Sequence, residues 1–146
     1  AFVKKLPDET YDLVVIDGAD PVGPAQGLFS IEFYKNCRRV LKKGGVLVTQ
    51  GESPMFNQQV FVALSHTLKE IFSAGRVHTM LFQIASYPTG IWSFHIATKN
   101  DLDVERTAGE GAAEFAMQHQ LKYFNAEMHR AAFMLPGYVK EMLAEE

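Results

Sequence analysis

The sequence predicts an α/β fold: the C-terminal half of a doubly wound sheet that ends in an antiparallel hairpin and is followed by helices. Three observations lead there. An aliphatic run, Leu13–Ile16, closes on turn-forming residues beginning at Asp17. A helix-period segment then separates it from a second apolar run at Val46–Gln50. Finally, two stretches rich in β-branched and aromatic residues flank Tyr87-Pro88-Thr89-Gly90.

Tyr11–Asp17 reads Y-D-L-V-V-I-D. Its consecutive aliphatic residues predict a strand buried on both faces, as in a parallel sheet between helix layers. Ser30 is the predicted N-cap of a helix with Glu32 in its first turn. Phe33, Tyr34, Cys37, Val40 and Leu41 recur at helical spacing and form its apolar face. Lys42 and Lys43 are assigned to the end of that helix, closed by Gly44-Gly45, before the short strand Val46–Gln50. Asn57–Phe72 is predicted as a second helix, with Phe61, Leu64, Leu68, Ile71 and Phe72 facing inward. Arg76–Ala85 and Ile91–Thr98 are predicted to pair antiparallel. From about Glu105 the chain reads as helical pieces broken at Asn125 and Pro136.

Composition bounds the function. The 146 residues are 47% hydrophobic and 21% charged, which suits one globular unit with a core. A net charge of −3 argues against a broad nucleic-acid surface. Cys37 is the only cysteine, which excludes a disulfide framework and a cysteine-based metal site. No apolar run reaches the ~18–20 residues that cross a bilayer, and the N-terminus has no signal-peptide pattern, so a cytoplasmic location is expected.

In open α/β sheets, ligands bind beyond the C-terminal ends of the parallel strands. The first such end carries Asp17 and Asp20; the second carries Gln50, Gly51 and Glu52. Two carboxylates three residues apart, in a loop stiffened by Pro21 and Pro24, repel each other unless a cation lies beside them. A small polycation fits that requirement; a capped turn explains the same spacing. Both readings stand on spacing alone. Tyr87 and Gln50, taken singly, read as a turn aromatic and a strand-end amide. His129 and Arg130, followed by Ala131-Ala132-Phe133, read as a packed helix, and Trp92 alternates with Phe94 and Ile96 as core residues do. The remaining histidines share no metal-ligand spacing.

The segment Asp17-Gly18-Ala19-Asp20-Pro21-Val22-Gly23-Pro24-Ala25, followed by Leu28-Phe29, resembles the D-x-x-D-P-x-G-P-[AG]-x-x-L-[FY] signature of the polyamine synthases. The resemblance continues through Gly44–Pro54, through Ser86–Phe94 and into Lys122-Tyr123-Phe124-Asn125, His129 and Leu135-Pro136. It identifies the chain as similar to the C-terminal catalytic portion of the spermidine synthases, the polyamine aminopropyltransferases. What this implies is a methyltransferase-like (Rossmann-type) domain that uses decarboxylated S-adenosylmethionine as co-substrate, with no prosthetic group and no metal. The acceptor is putrescine or a related amine. By similarity Asp17 is the proton acceptor, Asp17 and Asp20 line the diamine site, Gln50 and Tyr87 help to hold the diamine, and Pro24 contacts the nucleoside. A homodimer or homotetramer is the implied assembly.

Gly18-Ala19 stands where the family often has small hydroxyl residues, and no glycine-rich nucleotide loop is present. Residues 1–146 are therefore expected to be part of a catalytic domain, with an N-terminal half and an N-terminal β domain outside it, and to be inactive alone. The rivals are an enzyme acting on another amine such as agmatine, an ordinary methyltransferase-fold enzyme, and a non-catalytic interaction module. The paired carboxylates disfavour the methyltransferase, which has no polycation to bind.

Overall fold

The computed structural model describes residues 2–18, 27, 29–87, 89–106 and 110–144. Its strands are β1 (Tyr11–Ile16), β2 (Leu41–Gln50), β3 (Val77–Gln83) and β4 (Ile91–Thr98). Its helices are α1 (Ile31–Val40), α2 (Gln58–Phe72), α3 (Glu110–Gln118), α4 (Ala126–Ala132) and α5 (Gly137–Ala144). The four strands form one sheet in the order β1-β2-β4-β3. β1 and β2 run parallel, while β4 pairs antiparallel with both β2 and β3. The predicted α/β order and the hairpin are both present.

Local chemistry explains the boundaries. Ser30 caps α1 by accepting a hydrogen bond from the Phe33 N–H at 3.2 Å. Asn125 caps α4 in the same way, from the Met128 N–H at 2.7 Å. The break at Pro136 precedes α5, which packs on α2 and is tied to it where Lys69 Nζ donates to the Leu143 carbonyl at 2.6 Å.

Two expectations are corrected. Lys42–Gly45 is not the end of a helix: α1 stops at Val40, and β2 begins at Leu41. Tyr11 pairs with Leu41 and Leu13 with Val46, so the lysines and glycines form a bulge opposite Asp12, whose carboxylate accepts from Lys42 Nζ at 2.8 Å. A side chain at Gly45 would meet Leu41 and the Lys42 carbonyl at 3.0 Å, which is why this bulge takes glycine there. Nor is β1 covered on both faces. Val14 and Ile16 pack on the core of Tyr34, Cys37, Leu41, Leu47, Leu64, Leu68, Phe72 and Ala97. Leu13 and Val15, on the opposite face, remain 54% and 59% exposed. The core formed with α1 and α2 takes only one face of the strand, and strand alternation leaves the other open.

On that second face, nearer β3, Phe82 stacks on Phe94 with ring centroids 4.7 Å apart. His129 bonds the Val104 carbonyl at 2.8 Å and lies beside Phe124 and Phe133, the structural duty its sequence context predicted. Among the described residues no helix is long and apolar enough to cross a membrane.

Candidate active site

The parallel register sets Ile16 beside Thr49, so the next residues, Asp17 and Gln50, leave adjacent strand ends. Gln50 in turn pairs with Phe94 across β2 and β4. Because side chains alternate along a strand, Asp17, Gln50, Phe94 and Trp92 share the face opposite the helices α1 and α2. There they line a cleft of about 430 Å³ together with Gly18, Phe82, Ile84 and Tyr87.

Asp17 is exposed in this cleft and takes part in none of the ion pairs among the described residues. Among the described residues no lysine or arginine neutralises this carboxylate. Tyr87 is 46% exposed, and its ring meets Trp92 edge-on at 4.8 Å. The turn that carries Tyr87 is closed by hydrogen bonds from Tyr87 N–H to the Ile84 carbonyl and from Gly90 N–H to the Tyr87 carbonyl, at 3.1 and 3.0 Å. Thr89 and Gly90 have φ of 66° and 69°, which this tight turn requires. Thus Asp17, Gln50 and Tyr87, the expected site residues within the described part, come together at one cleft. Asp20 and Pro24 lie outside the described residues.

A polar network forms the floor. Gln50 is 5% exposed, and its carbonyl Oε1 accepts from Trp92 Nε1 at 2.9 Å and from the Glu52 backbone N–H at 2.7 Å. Its Nε2 donates to Glu52 Oε1 at 2.6 Å. Glu52 is fully buried, and its second oxygen accepts from Asn57 Nδ2 at 2.6 Å. Asn57 is the N-cap residue of α2, yet its side chain serves Glu52 instead of the helix. The carboxylate so lies by the helix N-terminus, where the backbone dipole favours negative charge. Behind this floor His95 is fully buried: Nε2 donates to the Phe61 carbonyl at 3.2 Å, and Nδ1 accepts from Thr79 at 2.9 Å. Burial pushes its imidazole down to about 4, so it is neutral.

Two residues of this floor go beyond the site expected from the sequence: Glu52, to which the motifs assign no role, and Trp92, whose alternation with Phe94 and Ile96 reads as core packing. The signal that would have found them is register: Gln50 opposite Phe94 brings Trp92, two residues earlier in β4, to the end of β2, where Glu52 lies.

Residues 1–107 match a family model described as the spermine/spermidine synthase domain. The chain belongs to the spermine/spermidine synthase family. This agrees with the resemblance carried by its motifs. Among its relatives in that family is a polyamine aminopropyltransferase of Clostridioides difficile (strain 630), 42% identical over 147 residues, a match covering 99% of this chain and 50% of the relative. A polyamine aminopropyltransferase of Moorella thermoacetica is 40% identical over 138 residues, covering 93% of this chain and 46% of the relative. The chain spans about half the length of the curated relatives it matches. A crystal structure of spermidine synthase in complex with the transition state analogue AdoDATO superposes with a TM-score of 0.80 at 31% identity, over 97% of this chain and 47% of that one. The spermidine synthase of Thermotoga maritima gives a TM-score of 0.77 at 31% identity, over 97% and 46%. The expected methyltransferase-like α/β class holds for this spermine/spermidine synthase family chain.

Proposed function

We propose that the protein containing this chain transfers the aminopropyl group of decarboxylated S-adenosylmethionine to putrescine or a related diamine, giving spermidine and methylthioadenosine. The observation that carries the reading is Asp17: an exposed carboxylate at a parallel strand end, without a cationic partner among the described residues, in a cleft shared with Gln50 and Tyr87. Membership of the spermine/spermidine synthase family, and relatives named polyamine aminopropyltransferase, support it. A cytoplasmic homodimer or homotetramer is the setting the resemblance suggests.

The reaction is a displacement at carbon. An amine nitrogen attacks the methylene beside the sulfonium, the carbon–sulfur bond breaks, and its electrons leave on the sulfur of methylthioadenosine. The nitrogen needs a free lone pair, yet a diamine is protonated at neutral pH, with a reference pKa of about 10 by analogy to lysine. A carboxylate with a reference near ~4 cannot remove that proton by basicity alone. In this reading desolvation in the cleft and the like charge of the sulfonium lower the ammonium pKa. Asp17 then orients the nucleophile and accepts its proton late, as the carbon–nitrogen bond forms. Tyr87 offers a ring face and an oxygen to the cation, and Asp20 and Pro24 keep the diamine and nucleoside roles the motif implies. The sulfonium is already an activated leaving group, so this chemistry calls for no metal.

The test is an assay of the complete protein with decarboxylated S-adenosylmethionine and a panel of amines that includes putrescine, cadaverine and agmatine. Asp17→Asn is expected to reduce turnover by about 10²-fold or more, with an unchanged circular-dichroism spectrum. Wild-type rates in that variant would remove Asp17 from the mechanism, and preference for agmatine over putrescine would reassign the acceptor.

A further inference from the structure

Gln50 carries three hydrogen bonds that fix its amide in one orientation. A carbonyl oxygen has two lone pairs, and both are occupied, one by the Trp92 indole N–H at 2.9 Å and one by the Glu52 backbone N–H at 2.7 Å. A flipped amide would set its NH₂ against those two donors and its oxygen against the Glu52 carboxylate. With Nε2 bound to Glu52 at 2.6 Å, the one bonding capacity left on Gln50 is a single N–H. Trp92 is held from its other side by the edge contact with Tyr87 at 4.8 Å, so its N–H is aimed rather than free to swing.

We propose that Trp92 is a positioning residue: its indole N–H closes the Gln50 carbonyl, so that this wall of the cleft offers a bound amine a donor and no acceptor. The inference rests on the aminopropyl-transfer reading of the cleft. An ammonium group has only donors, whereas a neutral amine has a lone pair. A wall that presents N–H alone therefore favours the neutral amine, the form that attacks. The proton that the ammonium loses on entering the cleft goes to solvent, and the amine keeps its electron pair for the later step. The titratable groups around this wall are Asp17 after β1, Glu52 behind Gln50 and Tyr87 in the β3–β4 turn, and a substitution at Trp92 removes none of them.

The test counts protons. Calorimetric titration of putrescine into the complete protein loaded with methylthioadenosine, repeated in buffers of different ionisation enthalpy, gives the number released on binding. Trp92→Phe keeps a ring against Tyr87 but removes the N–H, and is expected to lose about half or more of the net release, since one Gln50 lone pair becomes free to accept from ammonium. In a Gln50→Leu background the same substitution is expected to change nothing further, because the group it acts through is gone. Replacing tryptophan by benzothienylalanine, which has the same shape without the N–H, repeats the experiment without a change of volume and is expected to give the same loss. Release equal to wild type in both Trp92 replacements overturns the proposal, as does an equal loss with and without Gln50, which would make Trp92 a packing residue. Aminopropyl transfer to the amine panel is read separately: proton release that depends on Trp92 in a protein that transfers no aminopropyl group to any of these amines defeats the transferase reading and leaves the Trp92–Gln50 coupling standing.

Discussion

Gly51 and Glu52, two consecutive residues after β2, make the floor of the cleft rigid. Gly51 is not there for an unusual φ. A Cβ at this position would lie 2.5 Å from Ser93 Oγ and 2.8 Å from His95 Cδ2. Neither neighbour can give way easily: the Ser93 hydroxyl donates to the Glu52 carbonyl at 2.7 Å, and His95 is fully buried and bonded at both nitrogens. Glu52 itself has φ of 69°, a conformation that costs a non-glycine residue about 1 kcal/mol or more. The hydrogen bonds from Ser93, Asn57 and Gln50 maintain it, and the result is a carboxylate turned back under Gln50. Gly51→Ala is expected to lower stability by roughly 1–3 kcal/mol in urea denaturation, through overpacking. It should also raise the amine KM more than the KM of the sulfonium co-substrate, because Gln50 moves with the floor. An unchanged amine KM in a destabilised variant would separate the floor from the site. The place of Asp17 at the cleft is legible in the sequence because the end of an aliphatic strand is a local pattern. The burial of Glu52 is not, since its donors come from Asn57 on a following helix and from Gln50, itself fixed by Trp92 on β4.

At the scale of elements, β4 does two jobs on its two faces. Trp92 and Phe94 line the cleft, while His95 and Ala97 face the helices. His95 makes the helix side sensitive to acid. Its pKa falls from 6.5 to about 4 in the folded chain, chiefly by desolvation. The folded state thus binds fewer protons than the unfolded state between those values, so stability rises with pH and is lost as pH drops through that window. At pH 5 the loss attributable to His95 is about 2 kcal/mol. His95→Gln keeps a donor for the Phe61 carbonyl and does not titrate, and is expected to flatten the dependence of the urea midpoint on pH between 7 and 5. A slope as steep as that of the parent would assign the effect to other groups. The neighbouring Tyr34 hydroxyl, bonded to Thr49 at 3.0 Å and pushed by burial up to about 12, stays protonated throughout this range. The hairpin and the Ser30 cap are legible from turn residues and periodicity, because each is decided within a few neighbours. The Lys42–Gly45 bulge is not. A Lys-Lys-Gly-Gly run is good helix-end chemistry, and only pairing with β1 shows that the chain has already become a strand at Leu41.

At the scale of the whole molecule, only one face of β1 packs on the core formed with α1 and α2, and this asymmetry has a consequence in solution. Tyr11, Leu13 and Val15 fall on one face of β1, at 37%, 54% and 59% exposure, and within the described sheet the strand pairs only with β2. An apolar stripe along an unpaired strand edge offers both hydrophobic area and free backbone hydrogen-bonding groups to another chain. The aliphatic run that predicted a doubly covered strand is the same run that leaves this stripe, because Leu13–Ile16 has no polar residue to alternate with. The 146-residue chain on its own is therefore expected to self-associate at micromolar concentrations. Leu13→Lys combined with Val15→Lys should shift it toward monomer, read by size-exclusion chromatography with light scattering. The melting temperature should change little, since both side chains are already more than half exposed and lose few contacts. Lysines on an edge strand also discourage edge-to-edge pairing directly, so the effect should weaken with added salt as their repulsion is screened. Association that persists unchanged in the double variant would locate the contact away from β1, with Phe2 at 77% exposure, Met117 at 75% and Met134 at 74% as the next apolar surfaces among the described residues.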